Sequence, residues 1–270
     1  MTVFSPDSDP QTRRHAGAFV ISPPESMIGV DHSRADFDVI RNLAIDEALL
    51  EQAEEQGVGA VRIWRQSNHA AVLGASCRLH DSLDVAACRR DGIAIARRSS
   101  GGGTVLIGPG ALNAAVVWPI DAAPELRAVD VAQRLMMDRI AQELRRSGDE
   151  PNVEVLGSGD LTIGGRKCSG SAQRRSRRFF LVHASLLVRF DLDRIGRYLK
   201  FPPKQPEYRR DRPHRDFLTN FTASETAIID AVRHAWLVPA AAWSDGPIAE
   251  DRVAAIIRDR LGDPAWIERF

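Results

Sequence analysis

Between Arg97 and Asn113 the chain reads RRSSGGGTVLIGPGALN, and this stretch limits what the protein can become. A short apolar strand (Ile93, Ile95) runs into two arginines. Three consecutive glycines then strip the backbone of side chains, and a second turn at Gly108-Pro109-Gly110 leads into another apolar run. Without Cβ atoms, Gly101, Gly102 and Gly103 can take positive φ and turn backbone N–H groups toward an anion. Arg97 and Arg98 offer forked, charged donors to a carboxylate or phosphate. A plain turn is the competing reading of three glycines. The stretch is not a P-loop, because no Gly-Lys-Ser/Thr follows, nor a dinucleotide fingerprint, because Gly-x-Gly-x-x-Gly with a long helix is missing.

The rest of the composition sharpens this. The 270 residues suit one large α/β-type domain, or one domain with a small appendage. Lys+Arg and Asp+Glu both number 36, so no global field draws the chain to nucleic acid or a membrane, and charge recognition has to be local. Three cysteines, Cys77, Cys88 and Cys168, have neither an even count nor a metal-like spacing, which argues against a disulfide framework and a structural zinc site. No apolar run is long enough to span a bilayer and the N-terminus lacks a signal-peptide core, so a cytoplasmic location is expected.

Residues 1–36, rich in Ser, Pro, Asp and Arg, are expected to be a loosely held arm. From Asn42, apolar residues at Leu43, Ile45, Ala48, Leu49 and Ala53 predict an amphipathic helix stopped by Gly57. Strands are expected at 60–64 and 70–73, and a short helix at 84–90. Ala111 to Trp118 reads as a buried strand. Residues 126–147 place Val131, Leu135, Ile140 and Leu144 on roughly one face of the longest helix, closed by Gly148. Four β segments follow (153–156, 160–163, 166–173 and 179–188), with Gly164-Gly165 as a hairpin turn. Residues 189–222, with Pro202, Pro203, Pro206 and Pro213, read as an irregular loop. Thr222 and Glu225 suggest a capping box for a helix to about Trp236, and 248–261 reads as a last helix. Strands and helices without regular βαβ alternation predict an α+β fold. The boundaries drawn are an arm at 1–36, a catalytic domain at 37–222 and a short helical extension at 223–270.

A second constellation is GGRKCSGSAQ, 164–173, followed by RRSRR. Lys167 is either a solvated strand lysine or the central cation of a site, where an ammonium could stabilise charge developing on an acyl or phosphoryl oxygen. Its neighbours Arg166, Arg174, Arg175, Arg177 and Arg178 come with no acid, which suits anion binding, although the tip at 174–178 reads more simply as solvated.

In order, NLAIDEALL, VRIWRQSNHAAVLG, RRSSGGGTV with GPGALN, GDLTIGGRKCSGSAQ and FLVHASLL resemble the lipoate-protein ligase and octanoyltransferase family, related to biotin-protein ligases. The likeness covers about Asn42 to Asn220. It implies a mixed β-sheet domain flanked by helices, of the biotin/lipoate ligase (class II synthetase-like) type. The implied chemistry attaches a lipoyl or octanoyl group to a lysine of a small acidic lipoyl carrier domain. By resemblance, Arg97, Arg98, Gly101, Gly102 and Gly103 line the acyl and adenylate pocket, Asn113 closes it, and Lys167 contacts the acyl carbonyl and phosphate as the catalytic residue. Ser169, Gly170 and Ala172 match the small residues beside that lysine, and His183 the histidine before the usual Gly-Thr-Leu-Leu, here Ala184 to Leu187. Two motifs depart from the common pattern: His-Asp after the glycines is Ile107-Gly108, and Asn-Asp-Leu is Gly159-Asp160-Leu161. No protein metal site is implied.

The family runs two mechanisms. Ligases use ATP and Mg2+ to make an acyl-adenylate; ATP-free transferases commonly use a cysteine thioester. No cysteine lies between Arg89 and Lys167. Strand alternation sends Cys168 to the core if Lys167 faces the pocket, although a neighbouring ammonium would favour its thiolate. The adenylate route is therefore expected, with ATP, Mg2+ and lipoate or octanoate. The short C-terminal stretch leaves room for a separate accessory subunit. The alternatives are an ATP-free amidotransferase and a non-catalytic acyl or cofactor binder on the same scaffold.

Overall fold

The computed structural model describes residues 26–246 and 248–270. In chain order these form β1 (Met27–His32), α1 (Val39–Gln56), β2 (Gly59–Arg65), β3 (Ala70–Leu73), α2 (Leu79–Ser82), α3 (Val85–Arg90), β4 (Ala94–Arg97), β5 (Val105–Ile107), β6 (Ala111–Pro119) and α4 (Val129–Ser147). Then come β7 (Val153–Leu156), β8 (Asp160–Ile163), β9 (Arg166–Arg175), β10 (Phe179–Leu187), α5 (Asp193–Tyr198), α6 (His214–Phe217), α7 (Glu225–His234), β11 (Trp243–Ser244), α8 (Glu250–Ile256) and α9 (Pro264–Ile267). An eight-stranded mixed sheet runs β11-β1-β2-β6-β10-β9-β8-β7, and a three-stranded sheet runs β4-β3-β5. The fold is α+β, as expected.

Period-two alternation in the central strands divides the core. Leu112, Ala114, Val116 and Trp118 of β6, with Phe180, Val182, Ala184 and Leu186 of β10, pack with α4 and α7. Ala115 and Val117, with Phe179 and Leu181, pack with α1 and α8 on the opposite face. Helix α1 starts where the Asp38 side chain accepts from Arg41 N and ends at Gly57 in the left-handed region. It is fixed to the sheet by Arg62, which is fully buried. The guanidinium donates to His32 Nδ1 (3.1 Å), Asn42 O (2.8 Å), Asn42 Oδ1 (2.6 Å) and Asp46 Oδ1 (2.7 Å). A buried ion pair with its donors used in this way sets the helix in register, and removing one partner costs about 3–5 kcal/mol.

Several expectations are corrected. Residues 27–32 of the expected arm form β1, paired parallel with β2; residues 1–25 of it lie outside the described residues. On α4 the buried face is Ala132, Met136, Met137, Ile140, Ala141 and Leu144, while Val131 is 37% exposed. The stripe read from Val131 was displaced because Ala132 counts as weakly apolar yet lies on the core side. Helix α7 is capped by Ser224, whose side chain accepts from Ala227 N. Thr222 instead donates from N and Oγ1 to the buried Glu150 carboxylate, so Thr222 and Glu225 form no capping box. Residues 189–222 contain α5 and α6 rather than irregular chain alone. The helix expected at 248–261 begins at Glu250, passes into a π-helical turn, Ile257–Leu261, and is not the last, because α9 follows it.

The 223–270 stretch does not stand apart. Helix α7 packs on α4, β11 extends the large sheet beside β1, and α8 packs on α1. Its end also reaches the strand that feeds the glycines. Arg97 Nε and Nη2 donate to Ile267 O, and Trp266 Nε1 donates to Arg97 O.

Candidate active site

A cleft of about 120 Å³ opens on the α1 side of the large sheet, between it and the three-stranded sheet. Its apolar wall includes Leu43, Trp64, Val72, Val105 and Ile107; its polar lining includes Arg98, Thr104, Asn113, Lys167 and His183. The floor follows from strand register. Trp64 pairs with Asn113, Asn113 with Ser185, and Ser185 with Gly170, so these four share one row and one face. Two residues along, Arg62, Ala115, His183 and Ala172 form the next row. Ser185 Oγ donates to Asn113 Oδ1 at 2.8 Å.

Plain alternation would not deliver Lys167 here. Counting back from Gly170 puts it on the other face, but the β8–β9 ladder slips: Leu161 pairs with Ser169 while the next residue, Thr162, pairs with Lys167. Cys168 is the extra residue of a β-bulge, which re-aims the lysine. Lys167 then lies over Gly170, where an added Cβ would stand 3.1 Å from Lys167 Cε and Nζ. Its ammonium pairs with Asp160 Oδ1 at 2.8 Å, and Asp160 Oδ2 accepts from Tyr208 OH at 2.7 Å. Burial and the Asp160 charge push the Tyr208 phenol far up, so it stays a donor at neutral pH.

The glycine curve is shaped from behind by Arg98. The guanidinium donates to Gly101 O (2.6 Å), Gly103 O (2.7 Å), Val72 O (3.3 Å) and Ser100 Oγ (2.9 Å). In a trans peptide, C=O and N–H point to opposite sides. The bonds to Gly101 O and Gly103 O therefore turn the N–H groups of Gly102 and Thr104 away from the arginine, and neither donates to a backbone carbonyl among the described residues. Gly102 holds φ +82°, a conformation that favours glycine. Burial pushes the Arg98 guanidinium down to about 10, which leaves it charged at neutral pH. Among the described residues no carboxylate pairs with it. A buried cation facing a cleft without a counter-ion favours an anionic ligand.

Of the residues singled out from sequence, the structure brings Arg98, Gly103, Asn113, Lys167, Gly170, Ala172 and His183 to the cleft. Gly101 and Gly102 form the outer part of the curve. Arg97 points the other way: fully buried, it donates to Gly74 O (2.9 Å), Cys77 O (2.6 Å) and Ile267 O. Adjacent strand residues face opposite sides, so the two arginines cannot both reach the cleft. Ser169, also fully buried, faces α4. Cys168 is buried on that same far side, Sγ donating to Leu161 O at 3.3 Å, and burial pushes its thiol well up. Cys77 lies behind the curve, Sγ donating to Gly102 O at 3.3 Å.

Sequence reading missed Ser100, Asp46, Asp160 and Tyr208. Asp160 sat in a motif already noted as departing from pattern; nothing in the proline-rich stretch marked Tyr208. The departure at Gly159 has a local reason. At φ +128° its Cβ would meet Ser171 Oγ at 3.1 Å and Gln133 Cγ at 3.3 Å. Gln133 Nε2 donates to Ser171 Oγ (2.9 Å), and Ser171 Oγ donates to Gly159 O (2.9 Å), filling the space a larger residue would need.

The cleft joins an apolar trough to two cations on an α+β scaffold. The lipoyl protein ligase A/B catalytic domain model matches residues 38–237, and the chain belongs to that family. It is 28% identical to an octanoyltransferase LipM of Carboxydothermus hydrogenoformans over 271 residues, covering 89% of this chain and 98% of that one. With an Aeropyrum pernix protein named as a lipoate-protein ligase A it shares 34% over 156 residues, covering 58% of this chain and 56% of the relative. The fold superposes on an archaeal bi-partite lipoate protein ligase from Thermoplasma acidophilum, solved with its E2 lipoyl domain. The TM-score is 0.74, with 21% identity, over 90% of this chain and 96% of that one. Among the described residues no helix is long and apolar enough to cross a membrane.

Proposed function

We propose that the chain attaches a lipoyl or octanoyl group to a lysine of a carrier domain by way of an acyl-adenylate. One observation carries the adenylate route: the face that holds Lys167 presents no thiol. Cys168 lies behind the sheet with its ionisation suppressed, and Cys77 is turned into the back of the glycine curve. A thioester mechanism needs an accessible, ionisable sulfur at the acyl carbon. An adenylate arrives already activated and needs only orientation, shelter and charge stabilisation.

Each of those tasks has residues for it. Leu43, Trp64, Val72, Val105 and Ile107 take the apolar chain out of water. Lys167 and the outward N–H groups of Gly102 and Thr104 stabilise the oxygen that gains negative charge as the incoming amine attacks the acyl carbon. ATP supplies the adenylyl group. Among the described residues no cluster of His, Cys, Asp and Glu could cage a metal, so magnesium would enter on the nucleotide phosphates, its usual mode. The carrier would be a lipoyl domain, such as the E2 domain solved with the Thermoplasma ligase.

The near full-length match to LipM favours a second reading, ATP-free transfer from an octanoyl carrier. One experiment separates the two. Purified protein is mixed with a lipoyl-domain acceptor and either lipoate, ATP and magnesium or an octanoyl carrier alone, and the acceptor is weighed by mass spectrometry. Acyl addition only with ATP is the expected result; addition from the octanoyl carrier without ATP replaces the adenylate route.

A further inference from the structure

Beneath the cleft runs a line of buried polar groups to which acyl transfer, as set out above, assigns no task. Ser100, 1% exposed at the entry to the glycine curve, places Oγ 2.6 Å from His183 Nε2. The same Oγ accepts from Arg98 Nε at 2.9 Å. On the other side of the imidazole, His183 Nδ1 faces Asp46 Oδ2 at 3.6 Å, ion-pair rather than tight hydrogen-bond distance, and that oxygen has no hydrogen-bond partner among the described residues. Asp46 is 1% exposed, and its other oxygen takes Arg62 Nη1 at 2.7 Å. Burial would raise its pKa, but the Arg62 charge and His183 outweigh burial and hold it below the ordinary carboxylate value.

The polarity of this line is fixed from both ends. A guanidinium nitrogen can only donate, so Ser100 Oγ accepts from Arg98 and must pass its own proton onward. The acceptor in reach is His183 Nε2, which therefore carries the lone pair. A neutral imidazole then has its proton on Nδ1, opposite a carboxylate oxygen, the arrangement that Asp46 also favours.

We infer that Asp46 and Ser100 are positioning residues that hold His183 as the Nδ1–H tautomer, and that this tautomer locks the first turn of the glycine curve onto the sheet floor. The inference deepens the acyl-transfer reading and rests on it for its catalytic consequence. In Asp46→Asn, Arg62 retains the amide oxygen and the NH2 group is left facing Nδ1. The imidazole responds by moving its proton to Nε2. Two donors then converge on Ser100 Oγ while the hydroxyl proton loses its acceptor, and the curve that cradles the head group shifts.

The test uses the full chain with 15N-labelled histidine. Wild-type His183 should show an unprotonated Nε2 and a protonated Nδ1, and Asp46→Asn should reverse the two. Turnover in Asp46→Asn and in Ser100→Ala should fall by up to about 100-fold, the cost of misplacing a positioned group by about 1 Å. Ser100→Thr, which keeps the hydroxyl, should restore most of it. Ser100→Ala leaves the Asp46–Arg62 pair intact, so it stands in if Asp46→Asn fails to fold. A protonated Nε2 in the wild type, or wild-type turnover in Ser100→Ala, overturns the lock. Wild-type protein inert with both acyl donors overturns the acyl-transfer reading instead, while the tautomer measured in the same sample still decides the lock.

Discussion

Lys167 reaches the cleft because Cys168 is one residue too many for the β8–β9 ladder. Above Gly170 and paired with Asp160, its side chain remains 25% exposed to the cleft. Lys167→Ala should lower acyl transfer roughly 100-fold or more, the scale of losing a charge-stabilising donor, with thermal melting unchanged. Wild-type turnover in that variant would remove the residue from the chemistry. Gly170→Ala places a methyl 3.1 Å from Lys167 Cε and Nζ, tighter than an ordinary contact. A flexible lysine yields, so stability should hold while turnover drops, read by calorimetry and a steady-state assay. Arg97 should behave in the opposite way. Its bonds go to backbone carbonyls behind the glycine curve rather than into the cleft, and Arg97→Ala should lower stability by about 1–3 kcal/mol, the cost of stranding buried acceptors.

At the scale of elements, the bulge and the glycine curve depend on different partners. Deleting Cys168 removes the surplus residue and leaves Lys167 two positions before Gly170, on the cleft face by plain alternation, so transfer should persist in a protein whose circular dichroism stays close to wild type; loss of transfer in the deletion would show that the bulge does more than aim the lysine. Helix α6 carries a pH response. Burial, then the Arg209 charge, push His214 down to about 4. The folded state therefore holds His214 neutral while the unfolded chain binds a proton below about 6.5. Stability should fall as pH drops from about 6.5 toward 4, and His214→Gln should flatten that slope in denaturant titrations. The motifs around these elements were legible because each carries its own local signal: the glycine-stopped α1, the double-glycine hairpin and the apolar β6. The bulge was not, since nothing in GGRKCSGSAQ distinguishes ten residues in register from ten with one slipped.

For the whole molecule, the decisive contacts are long-range. Glu47, buried in α1, takes both Arg174 of β9 and Arg260 of the C-terminal stretch. Residues 264–270 hold the loop before α2 and the strand before the glycines through Ile267 O, Phe270 O and Trp266. Removing residues 262–270 should therefore loosen the glycine curve as well as lower the melting temperature, seen as faster hydrogen exchange at 98–104. Exchange there unchanged from the full chain would detach the C-terminal stretch from the site. Acid should act through Asp46. Its folded pKa lies below the unfolded value of about 3.9, so its contribution is present above that pH and is lost as pH falls further.

By itself the sequence determined the α+β class, the strands and helices with clear periodicity, and the segments that make the cleft, because alternation and glycine punctuation act within a few residues. Which side chains enter that cleft was decided by tertiary structure alone. Strand parity turned Arg97 away, a single bulge admitted Lys167, and residues as distant as Asp46, Ser100 and His183 met only because three strands and one helix stack over a common floor. Local rules fix where each chain segment bends; the packing of apolar faces fixes which polar groups are left together inside.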